Sequence, residues 1–139
     1  MLGLPAMDFS FPTGWSSGFH LALEQAPGRV SVSCSGTLDM ADAAAALQPQ
    51  LLRFHAAVVE AKIPRVELHL EDVEYMNSSA LKSFMVWFLS AAKDAGHRYQ
   101  IVVTFDPARS WQAVSLRPME RLAPETVQLV ERARANASG

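Results

Sequence analysis

The chain has 139 residues and only one cysteine, Cys34, so no intrachain disulfide can form and a reducing compartment suits it. It has no apolar run long enough to span a bilayer. Met1 to Met7 carries no basic segment and Asp8 interrupts its short apolar run, so a secretory leader is not expected. A formal net charge of only −2 leaves no footprint for nucleic acid or for an anionic membrane. His20, His55, His69 and His97 stand at no metal-ligand spacing, and Cys34 has no Cys or His near it in sequence. There is no Gly-rich phosphate loop and no Gly-x-Ser-x-Gly elbow. Acidic pairs such as Glu71-Asp72 read as solvated charge in a turn. With no catalytic set, the expectation is a cytoplasmic non-enzyme that uses no cofactor or metal.

Half of the residues are apolar, and the length fits one domain with a full core. The most informative stretch runs from Val66 to Leu81. Val66, Leu68 and Leu70 alternate with Glu67 and His69, the period of a half-buried strand. From Leu81 the period changes: Leu81, Phe84, Met85, Phe88, Leu89 and Ala92 form one helical stripe. Asn77-Ser78-Ser79 lies at the switch, and all three residue types can cap a helix. This places a small polar patch at a helix N-terminus, at the carboxyl end of a strand, where function often sits in α/β proteins.

On either side of this stretch the chain alternates strand-like and helix-like patterns. Residues 1–18 have no clear period and read as an arm. Its Phe9, Phe11 and Trp15 either pack on the domain or dock a partner. Phe19–Glu24 and Arg29–Cys34 alternate around the turn residues Gln25-Ala26-Pro27-Gly28, an opening hairpin. Met40–Ala61 reads as helix, with Pro49 either kinking it or starting a second one. The helix from Ser78 should end near Gly96. Tyr99–Phe105 reads as a strand and Ala108–Leu116 as a short helix that Pro118 breaks or redirects. Residues 126–130 fit either a last strand or part of a C-terminal helix, and residues 135–139 read as a loose tail. Most strands are apolar on one side only, while His20, Glu24, Ser31, Ser33, Glu67, His69, Gln100 and Thr104 collect on the other. A doubly covered parallel sheet would be apolar throughout. The fold class expected is therefore α/β, a mixed sheet opened by an N-terminal hairpin with helices mainly on one face.

The segment Tyr75-Met76-Asn77-Ser78-Ser79-Ala80-Leu81 resembles the STAS domain of anti-sigma-factor antagonists. In that family a strand ends in two hydrophobic residues, then Asp-Ser-Ser/Thr-Gly-Leu, and the first hydroxyl residue is phosphorylated. Asn77 stands here for Asp and Ala80 for Gly. Ser110-Trp111-Gln112, Ser115-Leu116, Arg121-Leu122 and Pro124 are similar to a bacterial subfamily that carries Asn-Ser-Ser. The resemblance spans roughly residues 19–131, so 19–134 is taken as the STAS domain between the arm and the tail.

The resemblance implies a phosphorylation site at Ser78, with Ser79 as the runner-up. It implies a docking face around Asp39, Asn77, Ser78, Ser79, Lys82 and Ser83. Its partners would be a GHKL-type serine kinase or anti-sigma protein and a PP2C-type phosphatase. Trp87 flanks the apolar stripe with Val86, and either an exposed partner contact or a wide core stripe accounts for it. The alternatives to a phospho-switch are a constitutive STAS scaffold and a domain that senses a small ligand. A phosphate adds nearly two negative charges, which a helix N-terminus favours by roughly 0.3–1 kcal/mol while the docking face changes sign.

Overall fold

A computed structural model describes residues 7–133; the expected tail at 135–139 lies outside them. The opening hairpin pairs β1 (Phe19–Ala26) with β2 (Arg29–Leu38) antiparallel. Pro27-Gly28 makes the turn, with Gly28 at φ +75°, the left-handed second corner that glycine adopts without strain. Then follow α1 (Ala43–Ala61), β3 (Arg65–Met76), α2 (Ser78–Lys93), β4 (Gln100–Phe105), α3 (Ser110–Leu122) and β5 (Val127–Glu131). The five-stranded sheet has the order β1-β2-β3-β4-β5, and every pair after the hairpin is parallel. The ambiguous segment after Pro124 is thus a strand at the sheet edge.

One sheet face is apolar. Val30, Val32 and Cys34 of β2, Val66, Leu68 and Leu70 of β3, Ile101, Val103 and Phe105 of β4, and Val127 of β5 are all buried beneath the helices. The opposite face carries Ser31, Ser33, Glu67, His69, Thr104 and Gln128. The described part of the arm adds to the core. Met7 and Phe11 are buried, and Phe9, Phe11, Phe54 and Trp87 form a chain of ring contacts with centroids 5.0–5.7 Å apart. The Gln25 side chain accepts from the Met7 N–H and donates to its carbonyl, which ties the arm to β1.

Four local expectations are corrected. Glu71-Asp72 is not a turn: β3 continues to Met76. Two register shifts against β2, between Ser33 and Ser35 and between Gly36 and Thr37, each give β3 one extra residue. Each bulge reverses the side-chain alternation, so the buried positions after Leu70 step to Val73 and then Met76. Glu71 is buried and accepts a 2.6 Å hydrogen bond from the Thr104 hydroxyl. Second, α1 begins at Ala43 and runs unbroken through Pro49, and α3 likewise runs through Pro118 to Leu122. The carbonyls that lose their helical donor belong to Ala45 and Val114, which are exposed, so water can replace the missing bond. Third, α2 stops at Lys93 rather than at a left-handed Gly96; the Asp94 carboxylate accepts from the N–H groups of Gly96 and His97. Those two bonds lead in holding the Asp94 carboxyl below its ordinary value, with His55 adding to them. Fourth, Tyr99 precedes β4 as a buried side chain.

The first turn of α3 supplies what the bulged end of β3 lacks. β4 stops pairing with β3 at His69, which leaves the later β3 carbonyls without a strand partner on that side. Gln112, fully buried, donates its amide to the carbonyls of Leu70 and Val73 at 2.8 and 2.9 Å and accepts from the Asp106 N–H. The Arg109 guanidinium donates to the Glu71 carbonyl.

Candidate functional site

The sequence places Asn77-Ser78-Ser79 at a strand-to-helix switch, and the geometry there is built by Asn77. Its side-chain oxygen accepts from the Ala80 N–H at 2.9 Å, which caps α2. Its amide nitrogen donates to the Met40 carbonyl at 3.0 Å, and its backbone N–H donates to Leu38. A carboxylate could make the cap but could not donate to Met40. Asn at this position therefore joins the α2 N-terminus to the segment that leads from β2 into α1. Ala80 fits without strain, because it sits in the first turn of α2 with a helical backbone and is fully buried.

The two serines have different environments. The Ser79 hydroxyl oxygen accepts from the Ala44 N–H at 2.9 Å, in the first turn of α1. Asp42, the residue in the α1 cap position, makes no side-chain cap bond, so Ser79 caps that helix from a different element. Ser78 is exposed and its hydroxyl bonds to no described residue. Both helix N-termini thus open toward the same patch, with Ser78 at its surface.

Of the other residues expected on this face, Asp39 and Lys82 are exposed. Asp39 lies between the two residues bonded to Asn77 and borders a groove of about 350 Å³ lined by Trp15, Ser16, Gly18, Thr37, Leu38 and Met40. Ser83 is corrected as a docking residue, and of the two readings of Trp87 the exposed partner contact gives way to the core stripe. Ser83 is fully buried and donates to the Ser79 carbonyl. Trp87 is fully buried too; its indole N–H donates to the Tyr99 hydroxyl at 2.9 Å. The face of α2 that packs inward is Ala80, Ser83, Phe84, Trp87, Phe88 and Ala91. This face is rotated from the expected stripe toward α1, where small Ala80 and Ser83 permit close approach and Phe54 covers Trp87.

A second polar cluster, on the open sheet face, was not expected as a unit. The Thr104 hydroxyl gives its proton to Glu71 and so accepts from the Nδ1–H of His69 at 2.8 Å. Arg132 lies 3.5 Å from Glu71, while Arg29 and Arg65 pair with Glu67. Burial pushes the Glu67 carboxyl up, but the Arg65 hydrogen bond and the charges of Arg29, Arg65 and His69 together bring it below its ordinary value. Among the described residues no group of three or more His, Cys, Asp and Glu could hold a metal ion. No helix there is long and apolar enough to cross a membrane.

Solved structures share this fold. An anti-sigma factor antagonist from Mycobacterium paratuberculosis superposes with a TM-score of 0.54 at 21% identity, over 79% of this chain and 85% of that one. The fold is the STAS fold. The anti-sigma factor antagonist SpoIIAA in its unphosphorylated form gives a TM-score of 0.52 at 13% identity, over 86% of this chain and 94% of that one. An uncharacterized protein with a SpoIIAA-like fold from Shewanella loihica gives 0.52 at 13% identity, over 90% and 98%. No family model matches the sequence, and no curated protein matches it. In this STAS fold Trp15, Ser16 and Gly18 line the groove beside Asp39 and Met40, next to a helix-terminal patch whose exposed hydroxyl is that of Ser78.

Proposed function

We propose that the chain is a non-enzymatic, cytoplasmic protein-binding regulator of the anti-sigma-factor-antagonist kind, switched by phosphorylation of Ser78. The observation that carries this reading is the division of labour between the serines. Ser79 spends its hydroxyl on capping α1, while Ser78 presents a free hydroxyl to solvent at the N-terminus of α2. A phosphate on Ser78 would meet the helix N-terminus and the nearby Lys82 ammonium without breaking a hydrogen bond of the fold. The same phosphate would present two added charges to any partner resting on Asp39, Asn77, Ser78 and Lys82. The kinase is expected to be a GHKL-type serine kinase that also acts as the partner or anti-sigma protein, with a PP2C-type phosphatase reversing the modification. The two antagonists of matching fold support this choice of partner class.

The test is phosphosite mapping by tandem mass spectrometry on protein recovered from its native host, beside Ser78→Ala and Ser79→Ala. A phosphate that disappears only in Ser78→Ala, together with loss of partner capture by Ser78→Asp, is the expected result. A phosphate on Ser79 alone, or none across growth conditions, overturns the switch and leaves a constitutive scaffold.

A further inference from the structure

The two edges of the sheet are finished differently. At β5 the first two outward backbone donors are taken: the Val127 N–H bonds to Ala123, and the Leu129 N–H donates to the Glu120 carboxylate at 3.0 Å. Such blocking keeps an edge strand from pairing with another chain. At β1 the outward groups can be read from the ladder. Thr37 N–H donates to the Gly18 carbonyl, and Ala26 and Arg29 flank a two-residue turn, so even-numbered residues of β1 bond to β2. The backbone groups of Leu21 and Leu23 therefore face the free edge. Ser16 covers the Phe19 N–H at one end, but no described side chain bonds to those of Leu21 or Leu23.

We propose that this edge pairs antiparallel with β1 of a second copy of the chain, about a two-fold axis at Ala22. In that register Leu21 and Leu23 exchange four backbone hydrogen bonds with the partner's Leu23 and Leu21. His20 falls opposite the partner's Glu24, and Glu24 opposite the partner's His20. These are the non-hydrogen-bonded pairs, where side chains come closest. His20, Ala22 and Glu24 are all exposed in the single chain. Axes at Leu21 or at Leu23 would lose this match of imidazole to carboxylate, and an axis at Glu24 would oppose two carboxylates. The polar pattern of the strand is thus complementary to itself in one register, an imidazole opposite a carboxylate acceptor at both ends. Strand pairing alone buries less than the ~1,200 Å² of a standard interface, so the dimer is a weak one that depends on concentration. It joins two sheets into one and leaves the Ser78 patch free.

Disulfide trapping tests this, with sedimentation velocity of the full chain as its companion. Ala22→Cys should oxidise to a covalent dimer, because the Cα atoms of such a pair lie about 4.5 Å apart, within disulfide reach. His20→Cys and Glu24→Cys should each cross-link only when mixed with the other. The unaltered chain is the control, since Cys34 is buried. In sedimentation, Glu24→Lys should weaken self-association roughly tenfold, as both imidazole–carboxylate pairs of the dimer lose their acceptor. The double change of His20→Glu with Glu24→Lys should restore it. Failure of Ala22→Cys to cross-link with its circular dichroism unchanged, a dimer indifferent to Glu24→Lys, or no rescue by the double change would each overturn the proposal.

Discussion

Ser79 and Ala44 are joined by a hydrogen bond of 2.9 Å from the Ala44 N–H to the Ser79 hydroxyl oxygen, so a residue of α2 caps the N-terminus of α1. The bond crosses the groove between the two helices at the switch patch. Ser79→Ala removes it and leaves an N–H in the first turn of α1 without its acceptor, which should cost about 0.5–2 kcal/mol. Ser78→Ala removes an exposed hydroxyl with no partner among the described residues and should stay within about 0.5 kcal/mol of the parent. Urea unfolding of both variants measures this, and equal losses would mean that the two hydroxyls are not differently employed.

Asn77→Asp is the complementary case. The aspartate still caps α2 and its charge is favoured there, but it cannot donate to the Met40 carbonyl and sets a carboxylate oxygen against it. The net change should be a loss of about 1–3 kcal/mol, the cost of leaving a partly buried polar group unmet. The loss should grow as the pH rises through the carboxylate range, because only the ionised form opposes the carbonyl. Denaturant midpoints at acidic and neutral pH give the answer; a gain in stability at neutral pH would show that the Met40 bond counts for less than the added charge at the helix end.

How far the sequence can be read depends on whether a residue keeps its element's period. The hairpin, β3 up to Leu70 and the capping run at Asn77 were legible because alternation, turn residues and cap residues agree there. Glu71 was not, because the strand continues through it and Thr104 and Arg132, from other elements, cover a carboxylate that local sequence marks as solvated. Ser83 was misplaced, and Trp87 left undecided, for a different reason. Ala80, Ser83, Phe84, Trp87, Phe88 and Ala91 follow helical spacing as well as the stripe from Leu81 does. Only the packing of α1 and the arm decides between the two stripes. Small residues at 80, 83 and 91 beside large ones at 84, 87 and 88 were the available signal. Pro49 and Pro118 are tolerated because the carbonyls they deprive face water, which composition alone does not report.

Tyr99 links the inner end of α2 to α1. Its hydroxyl accepts from the Trp87 indole N–H and donates to His55 Nδ1 at 2.7 Å, and His55 Nε2 in turn meets Asp94 at 3.1 Å. Burial is the main cause that pushes the Tyr99 phenol far above its ordinary value; the Trp87 bond opposes this and the Asp94 charge adds to it. A phenol raised on folding stabilises the native state fully below the unfolded value of about 10, and that contribution is lost as pH rises beyond it. In a Tyr75→Phe background, where Tyr99 is the one tyrosine left, tyrosinate absorbance should therefore rise together with loss of the circular dichroism signal. Tyrosinate forming in the folded protein would contradict the buried assignment. Trp87→Ala should cost about 3–5 kcal/mol through the cavity it leaves. At temperatures where it stays folded it should still bind whatever docks at Ser78.

Gln112 fixes the bulged end of β3, and the site depends on it indirectly. Its amide group serves two carbonyls, Leu70 and Val73, that no strand reaches, and its oxygen holds the Asp106 N–H where β4 ends. Val73 lies three residues before Met76, and Met76 leads directly into the Asn77 cap, so the register of this segment sets where the patch stands. Gln112→Glu keeps the volume and the acceptor but exchanges both donor bonds for a carboxylate facing two carbonyls inside the protein. Removing one partner from buried polar groups costs about 1–3 kcal/mol for each group left unmet, so the loss should exceed that of Ser79→Ala. Gln112→Leu, which also leaves the carbonyls unmet but adds no charge, should fall between the parent and Gln112→Glu. Thermal unfolding ranks the three, and amide hydrogen exchange should show weakened protection from Val73 to Ala80 in both variants. Protection lost instead only at the α3 end would mean that Gln112 serves its own helix and not the strand beneath the patch.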